Sequence, residues 1–510
     1  MVLKPKLMRY TSQHKQLSLD LFKSSFDDLD KRNRWVTLAD IMPWAEIERL
    51  YNSRLNNLSK GAGNKPARMV VGACIIKHKF NLSDVETIEM IRENPYMQYL
   101  CGLTELTDQP IFNPSLFVTI RKRISIEDIN KMTCELLEKE RERRQKNQES
   151  QEEDGNEKSP QAPSSNAEDL DYTDSNGGKH KGTLKIDATC ADAEVRYPVD
   201  VDIIHDGCKV LNRYIVLICN KLKIKCIKTS YKDARHWYLE LVKRKKKNGK
   251  FVRETIACML KSLQRDLRYI TELFFEHKGC RELLKPHEQC ILSAVFDMYH
   301  QQRTMHVKGI HTIPNRIVSI FQPHIRPIVR GKAKSKVEFG AKIGAAVCEG
   351  YTFIDHHSWD AYNESSDLEL QIQNYKKRFG YLPAVVLADK IYMNKNNRRY
   401  LKEQEIKTYC KPLGRPPKIK DPEVLAKMAK AVGERNEVEC SFGTGKRIYR
   451  ANNIRAKRPD TARCWTGMCY FVKNVMKFLR ELCLCICQRL QFLCSIWRIY
   501  PSCGVCSNCA

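Results

Sequence analysis

The run Ala384-Val385-Val386-Leu387-Ala388, with Asp389 directly after it, decides how this chain is read. It is apolar throughout, centred on β-branched valines, and does not alternate with polar residues. Such a run suits a central strand buried on both faces. Asp389 then stands at the carboxyl end of that strand, which is where open α/β sheets bind their ligands.

Reading outward from this strand gives the rest of the unit. Downstream, the patterns predict a helix over 394–404, a strand over 406–410 and a helix from 422 to about 442. Upstream they predict a helix over 368–379 and strands over 350–359 and 337–347. Further upstream, Leu184, Ile186 and Ala188 alternate with Lys185 and Asp187, which is strand periodicity over 183–189. Between the first strand and the second lies a basic helical block from about 202 to 306, far longer than an ordinary connection. The expected fold is α/β: a mixed sheet with helices packed on it and a helical insertion after the first strand.

Residues 1–144 read as a small all-α N-terminal domain. Ser83 is its clearest N-cap. The patch Arg121-Lys122-Arg123 suits DNA and a protein partner equally. Residues 145–181 have almost no apolar content and read as a disordered linker. The central unit then comprises 182–201 and 307–460, interrupted by the insertion at 202–306, and 461–510 form a Cys-rich helical tail.

Lys and Arg total 88 against 60 acids, a net charge of +28. That excess points to a polyanion, and nucleic acid is the usual one. The first residues lack the apolar core of a secretory signal, and no window reaches the ~18 apolar residues of a membrane span. The expectation is a cytoplasmic, DNA-associated protein with no membrane partner. Thirteen of the 22 cysteines are scattered from Cys74 to Cys440 without paired spacing, and read as reduced and mostly buried.

Three acids stand out by position. Asp187 lies on the first strand, on the face opposite Leu184 and Ile186. Asp389 ends the buried strand. Glu439 belongs to the helical stripe Leu425, Met428, Val432, Arg435, Glu439, Phe442 and Lys446, spaced alternately by three and four. The apolar first half of that stripe is expected to face the sheet, which aims Arg435, Glu439 and Lys446 at a site. Glu437 lies about 200° round the helix and points elsewhere. Hard oxygen ligands on rigid elements suit two Mg²⁺ ions, with Mn²⁺ as the alternative. Arg435 and Lys446 are the expected phosphate contacts.

These residues resemble an insertion-sequence DDE transposase of the "insertion sequence five" group or a close relative. Four stretches carry the likeness: Lys185-Ile186-Asp187-Ala188-Thr189 with Arg196 to Asp200; Arg326 to Ala333 with Val337 to Lys342; Leu387-Ala388-Asp389-Lys390-Ile391-Tyr392 with Asn397-Arg398; and Arg435-Asn436-Glu437-Val438-Glu439 with Phe442-Gly443 and Lys446-Arg447. The N-terminal unit is similar too, through Leu82-Ser83-Asp84 and the segment 117–123. The resemblance implies an RNase H-like fold with Asp187, Asp389 and Glu439 as metal-holding triad, and with Arg435, Lys446 and Arg447 on DNA. Many relatives carry Tyr-x2-Arg-x3-Glu-x6-Lys; here Val432 replaces the tyrosine. The implied reaction is cleavage by water at the transposon end, followed by in-line attack of the freed 3′ hydroxyl on target DNA. Terminal inverted repeats, target DNA and a second copy of the chain are the implied partners. An RNase H-like nuclease without joining activity, or a catalytically silent DNA-binding protein, are the alternatives.

The remaining signals are weaker. Cys483, Cys485, Cys487 and Cys494 lie in a helix-like run suited to packing on the core, and Cys503, Cys506 and Cys509 close the chain. A single such cluster falls short of the two pairs zinc usually takes, so zinc is not expected there. The segment 413–418 reads as a loop or a minor-groove arm. His356, His357 and Trp359 read as structural.

Overall fold

The computed structural model describes residues 25–55, 63–153, 171–175, 177–329, 337–411, 413 and 421–499. Up to Glu153 the described elements are helices: α1 (Arg34–Ile41), α2 (Trp44–Asn52), α3 (Ala67–Phe80), α4 (Asp84–Glu93), α5 (Pro95–Leu100), α6 (Leu116–Arg123) and α7 (Ile126–Glu153). Ser83 caps α4 in a reciprocal box. Its hydroxyl accepts from the Glu86 amide at 3.1 Å, and the Glu86 carboxylate accepts from the Ser83 amide at 2.7 Å. The basic patch on α6 is partly committed inward. Arg121 makes two 2.9 Å bonds to Asp84, which Lys77 also contacts at 2.9 Å.

The linker expected over 145–181 is helical at its start and paired at its end. α7 runs on to Glu153, because the Glu, Lys, Arg and Gln that make this stretch polar are also good helix formers. At the other end, β1 (Tyr172–Thr173) and β2 (Lys179–His180) form a hairpin. His180 is fully buried, stacks on Tyr172 and lies 3.1 Å from Asp174. The stretch between, 154–170, is outside the described residues.

The main sheet has five strands: β3 (Thr183–Asp192), β4 (Arg326–Val329), β5 (Val337–Cys348), β6 (Tyr351–Ser358) and β7 (Val385–Leu387). β5 is antiparallel to β3, β4 and β6, while β7 joins the far edge of β3 in parallel. The sheet is therefore mixed. β4 is not among the strands that periodicity predicts, since four residues carry too little of it to read. The strand expected over 406–410 reduces to one bridge, Lys407 to Val385. Just beyond, the Ala388 amide turns to the Cys410 sulfur at 3.1 Å instead of a ladder carbonyl.

The insertion folds as α8 (Asp200–Leu222), α9 (Tyr231–Lys243), α10 (Gly249–Glu276) and α11 (Pro286–Lys308) around its own core, including Leu211, Tyr214, Leu263 and Met298. After β6 come α12 (Asp367–Phe379), then β7, α13 (Lys395–Glu403), α14 (Pro422–Arg447) and α15 (Pro459–Ile499).

α15 corrects the expected domain plan. Its first half is not a tail. Cys464, Met468, Cys469, Phe471, Val472 and Val475 are buried in one core with the N-terminal helices and the sheet. Asn474 ties it to β6, accepting from the Thr352 amide at 3.0 Å and donating to the Thr352 carbonyl at 2.8 Å. The helical unit over 1–144 and the sheet therefore share an interior. Of the thirteen cysteines from Cys74 to Cys440, all are free thiols and only Cys290 and Cys440 are exposed. The side chains of Cys483, Cys485, Cys487 and Cys494 fall outside the described residues, as do Cys503, Cys506, Cys509, Arg330 to Ala333 and most of 413–418. Among the described residues no helix is long and apolar enough to cross a membrane.

Candidate active site

The parallel register of β3 and β7 builds the centre of the site. Lys185 pairs with Leu387, the last residue of β7, so Asp187 lies two residues further along β3 and Asp389 two residues past the end of β7. Leu184 and Ile186 are fully buried on the opposite face of β3, as strand alternation requires. The Asp389 carboxylate accepts from the Lys390 amide at 2.8 Å and starts a short 3-10 turn, Lys390–Tyr392.

α14 lies against β3 and contributes the third acid. Arg435 links the two elements: its Nη1 is 3.6 Å from Asp187 Oδ2 and its Nη2 is 2.8 Å from Glu439 Oε1. Asp187 has 17% of its side chain exposed and Glu439 has 56%. Burial pushes the Asp187 carboxyl up to about 6. The Ala188 amide and Arg435 pull it down, while Glu364 and Asp389 push it up again.

The expected basis for the orientation of Glu439 is overturned. Leu425 and Val432 are half exposed and do not face the sheet. The buried line of α14 runs instead through Ala431, Val438, Phe442 and Gly445. Arg435 and Glu439 lie roughly 60–100° round from Val438, on the shoulder of that face. A polar shoulder beside a packed line needs no continuous stripe. Glu437 is on the other shoulder and pairs with Lys185 at 2.6 Å.

Lys446 and Arg447 are further from the carboxylates. Lys446 is about 10 Å along the helix from Glu439. Its charge acts on Cys190, whose thiol burial pushes far up. Arg447 is exposed and lies over Gly443. His356 is bound to Asp367 at 2.8 Å, and His357 is half-buried, with its ring nitrogens enclosed and its pKa pushed down to about 3 by that burial. Trp359 is buried against His324 and His357.

Several neighbours were given no role at the site by the sequence reading. Glu364 acts on Asp187 and pairs with Lys342 at 2.9 Å. It starts a short 3-10 turn, Glu364–Ser366, between β6 and α12, where no periodicity marks it. Tyr392 is fully buried, with a hydroxyl that has no hydrogen-bond partner among the described residues and that Asp187 and Glu364 push up further after burial. Cys190, Asp192 and Glu338 bring three ligand atoms within 4.8 Å of one another near the far end of β3.

Two family models match this chain. "Transposase domain (DUF772)" matches residues 24–123, and "Transposase DDE domain" matches residues 386–476. The chain is transposase-like in two separate stretches. Together these matches support an insertion-sequence transposase. The second stretch takes in Asp389, Arg435, Glu439 and Lys446, and it extends into α15, as the shared core does. A curated relative, "Uncharacterized protein ORF8 in nfe locus" of Rhizobium meliloti, is 30% identical over 114 residues. That alignment covers 22% of this chain and 54% of the relative, so the chain spans about half of the protein it matches. No solved structure matches.

Proposed function

We propose that this protein is a DNA transposase that cuts at transposon ends and joins them to target DNA, with Asp187, Asp389 and Glu439 holding two Mg²⁺ or Mn²⁺ ions. The observation that carries this reading is the register that pairs Lys185 with Leu387, with Arg435 joining Asp187 to Glu439. The strand order β4-β5-β3-β7, with only β7 parallel, also suits an RNase H-like sheet.

The donor set fits divalent metal. It is all oxygen, and a carboxyl that burial pushes up to about 6, with Glu364 and Asp389 adding to the rise, gains from a cation beside it. Ions bound there would activate the attacking oxygen and stabilise the leaving one. The chain's own residues do the rest. β3 holds one carboxylate within a rigid strand and β7 presents the other just past its end, so their separation is set before substrate arrives. Arg435 restrains the exposed Glu439 and offers a forked cation to a phosphate. Lys446 and Arg447 extend that positive charge along α14, and a second copy of the chain would bring the other transposon end.

The test begins with the DNA flanking the gene, where inverted repeats bounded by a short duplication define the ends. A labelled end incubated with protein and Mg²⁺ should yield a 3′-hydroxyl cut and a joined product. Cutting without joining would leave a nuclease. Salt-dependent binding with no Mg²⁺-dependent product would leave a DNA-binding protein.

A further inference from the structure

α13 follows Asp389 by six residues and carries an unusual charge pattern. Lys395, Arg398, Arg399 and Lys402 are spaced i, i+3, i+4 and i+7. They fall within roughly 100° of arc, a single cationic stripe. All four are exposed, and so is Lys390 just before them.

The opposite face of α13 is anchored. Leu401 is buried, and Tyr400 accepts from Gln373 at 2.9 Å. Asn397 donates to the Ser365 carbonyl at 2.7 Å and to the Tyr392 carbonyl at 2.8 Å. The second bond ties the helix to the turn that Asp389 begins. The stripe is thus held in a fixed relation to the acidic site.

The pattern runs against the helix's own interests. Lys395 with Arg399, and Arg398 with Lys402, are like-charge pairs at i,i+4, which destabilise a helix. The first turn carries no acid, although it starts with Lys395 at the positive end of the dipole. Glu403 offsets only part of this, meeting Arg399 at 3.7 Å. Local stability does not explain such a face; an external anion does.

We propose that the outer face of α13 is a binding site for the phosphodiester backbone of DNA next to the reacting bond. The stripe is about 10 Å long. With the reach of their long side chains, the four cations cover about three phosphates of one strand of a duplex. The inference rests on the transposase reading for its ligand, and adds a contact that α14 does not supply.

The experiment compares the full chain with a variant carrying Lys395→Gln, Arg398→Gln, Arg399→Gln and Lys402→Gln. Affinity for a generic duplex is measured across a salt series. Each lost phosphate contact lowers the slope of log affinity on log salt by about 0.9, so the fourfold variant should lose about 3. Its melting temperature should hold or rise, and Asp389→Asn should keep the parent slope. An unchanged slope in a folded variant overturns the proposal, and DNA binding retained with weakened capture of an acidic protein surface would do so too. If the fourfold change unfolds the chain, Arg398→Gln and Lys402→Gln singly read the same quantity, about 0.9 each. If the parent itself neither binds nor cuts DNA, the transposase reading fails first. If the parent does both and the variant slope is unmoved, only the α13 site fails.

Discussion

Asp389 is close enough to raise the Asp187 carboxyl by its charge, because the parallel register of Lys185 with Leu387 sets the end of β7 beside the middle of β3. Two carboxylates so placed repel one another, and Arg435 sits 3.6 Å from the first as a partial counter-charge. A divalent cation, as proposed above, would relieve that repulsion more fully.

Asp389→Asn keeps the shape and removes the charge. Cutting and joining should both fall by about 10²–10³-fold or more, as when a group stabilising transition-state charge is lost. DNA affinity should change little. Activity surviving at the parent level would remove Asp389 from the site.

Metal affinity should depend on pH. With the metal-free Asp187 carboxyl at about 6, the ionised fraction falls about tenfold from pH 7 to pH 5. Calorimetric Mg²⁺ affinity should fall by about that factor, and Asp187→Asn should bind weakly at both values. Stability follows the opposite sign to a salt-bridged acid. The folded carboxyl is raised above its unfolded value, so the metal-free fold loses roughly 2–3 kcal/mol as pH climbs from about 4 through about 6. Saturating Mg²⁺ should restore it, and Asp187→Asn should flatten this part of the stability profile.

Asn474→Ala tests whether α15 belongs to the fold. The change strips both the amide and the carbonyl of Thr352 of their partner in a fully buried place. A loss of about 2–4 kcal/mol is expected, read by chemical denaturation. A change under about 0.5 kcal/mol would mean that α15 is not docked on β6.

Arg378→Ala leaves Asp355 as a buried charge without its ion-pair partner. The cost should be about 3–5 kcal/mol, whereas replacing both residues by apolar ones should cost much less. A double-mutant cycle separates these outcomes.

Much of this was legible residue by residue. The unalternating run before Asp389, the alternation around Asp187 and the Ser83 cap each depend on a few neighbours along the chain. The stripe through Leu425 and Val432 misled, because a 3-4 spacing identifies a helical line without saying which line meets the sheet. Ala431 wins that contact by being small against Val385 and Leu387 of β7, while Gly445 lets Tyr470 of α15 approach closely. The places of Glu364 and Tyr392 beside the acids left no trace, since 3-10 turns of three residues have no period to read.

By itself, the sequence determined the acid types, the strand that carries Asp187 and the strand end that presents Asp389, because backbone periodicity and local hydrogen bonding act over a few residues. Only the tertiary structure decided that β3 and β7 pair in parallel with Lys185 beside Leu387, that Arg435 joins β3 to α14, and that α15 completes the interior. Those relations join residues up to hundreds of positions apart, and they are selected by how side chains fill space together, which no local pattern encodes.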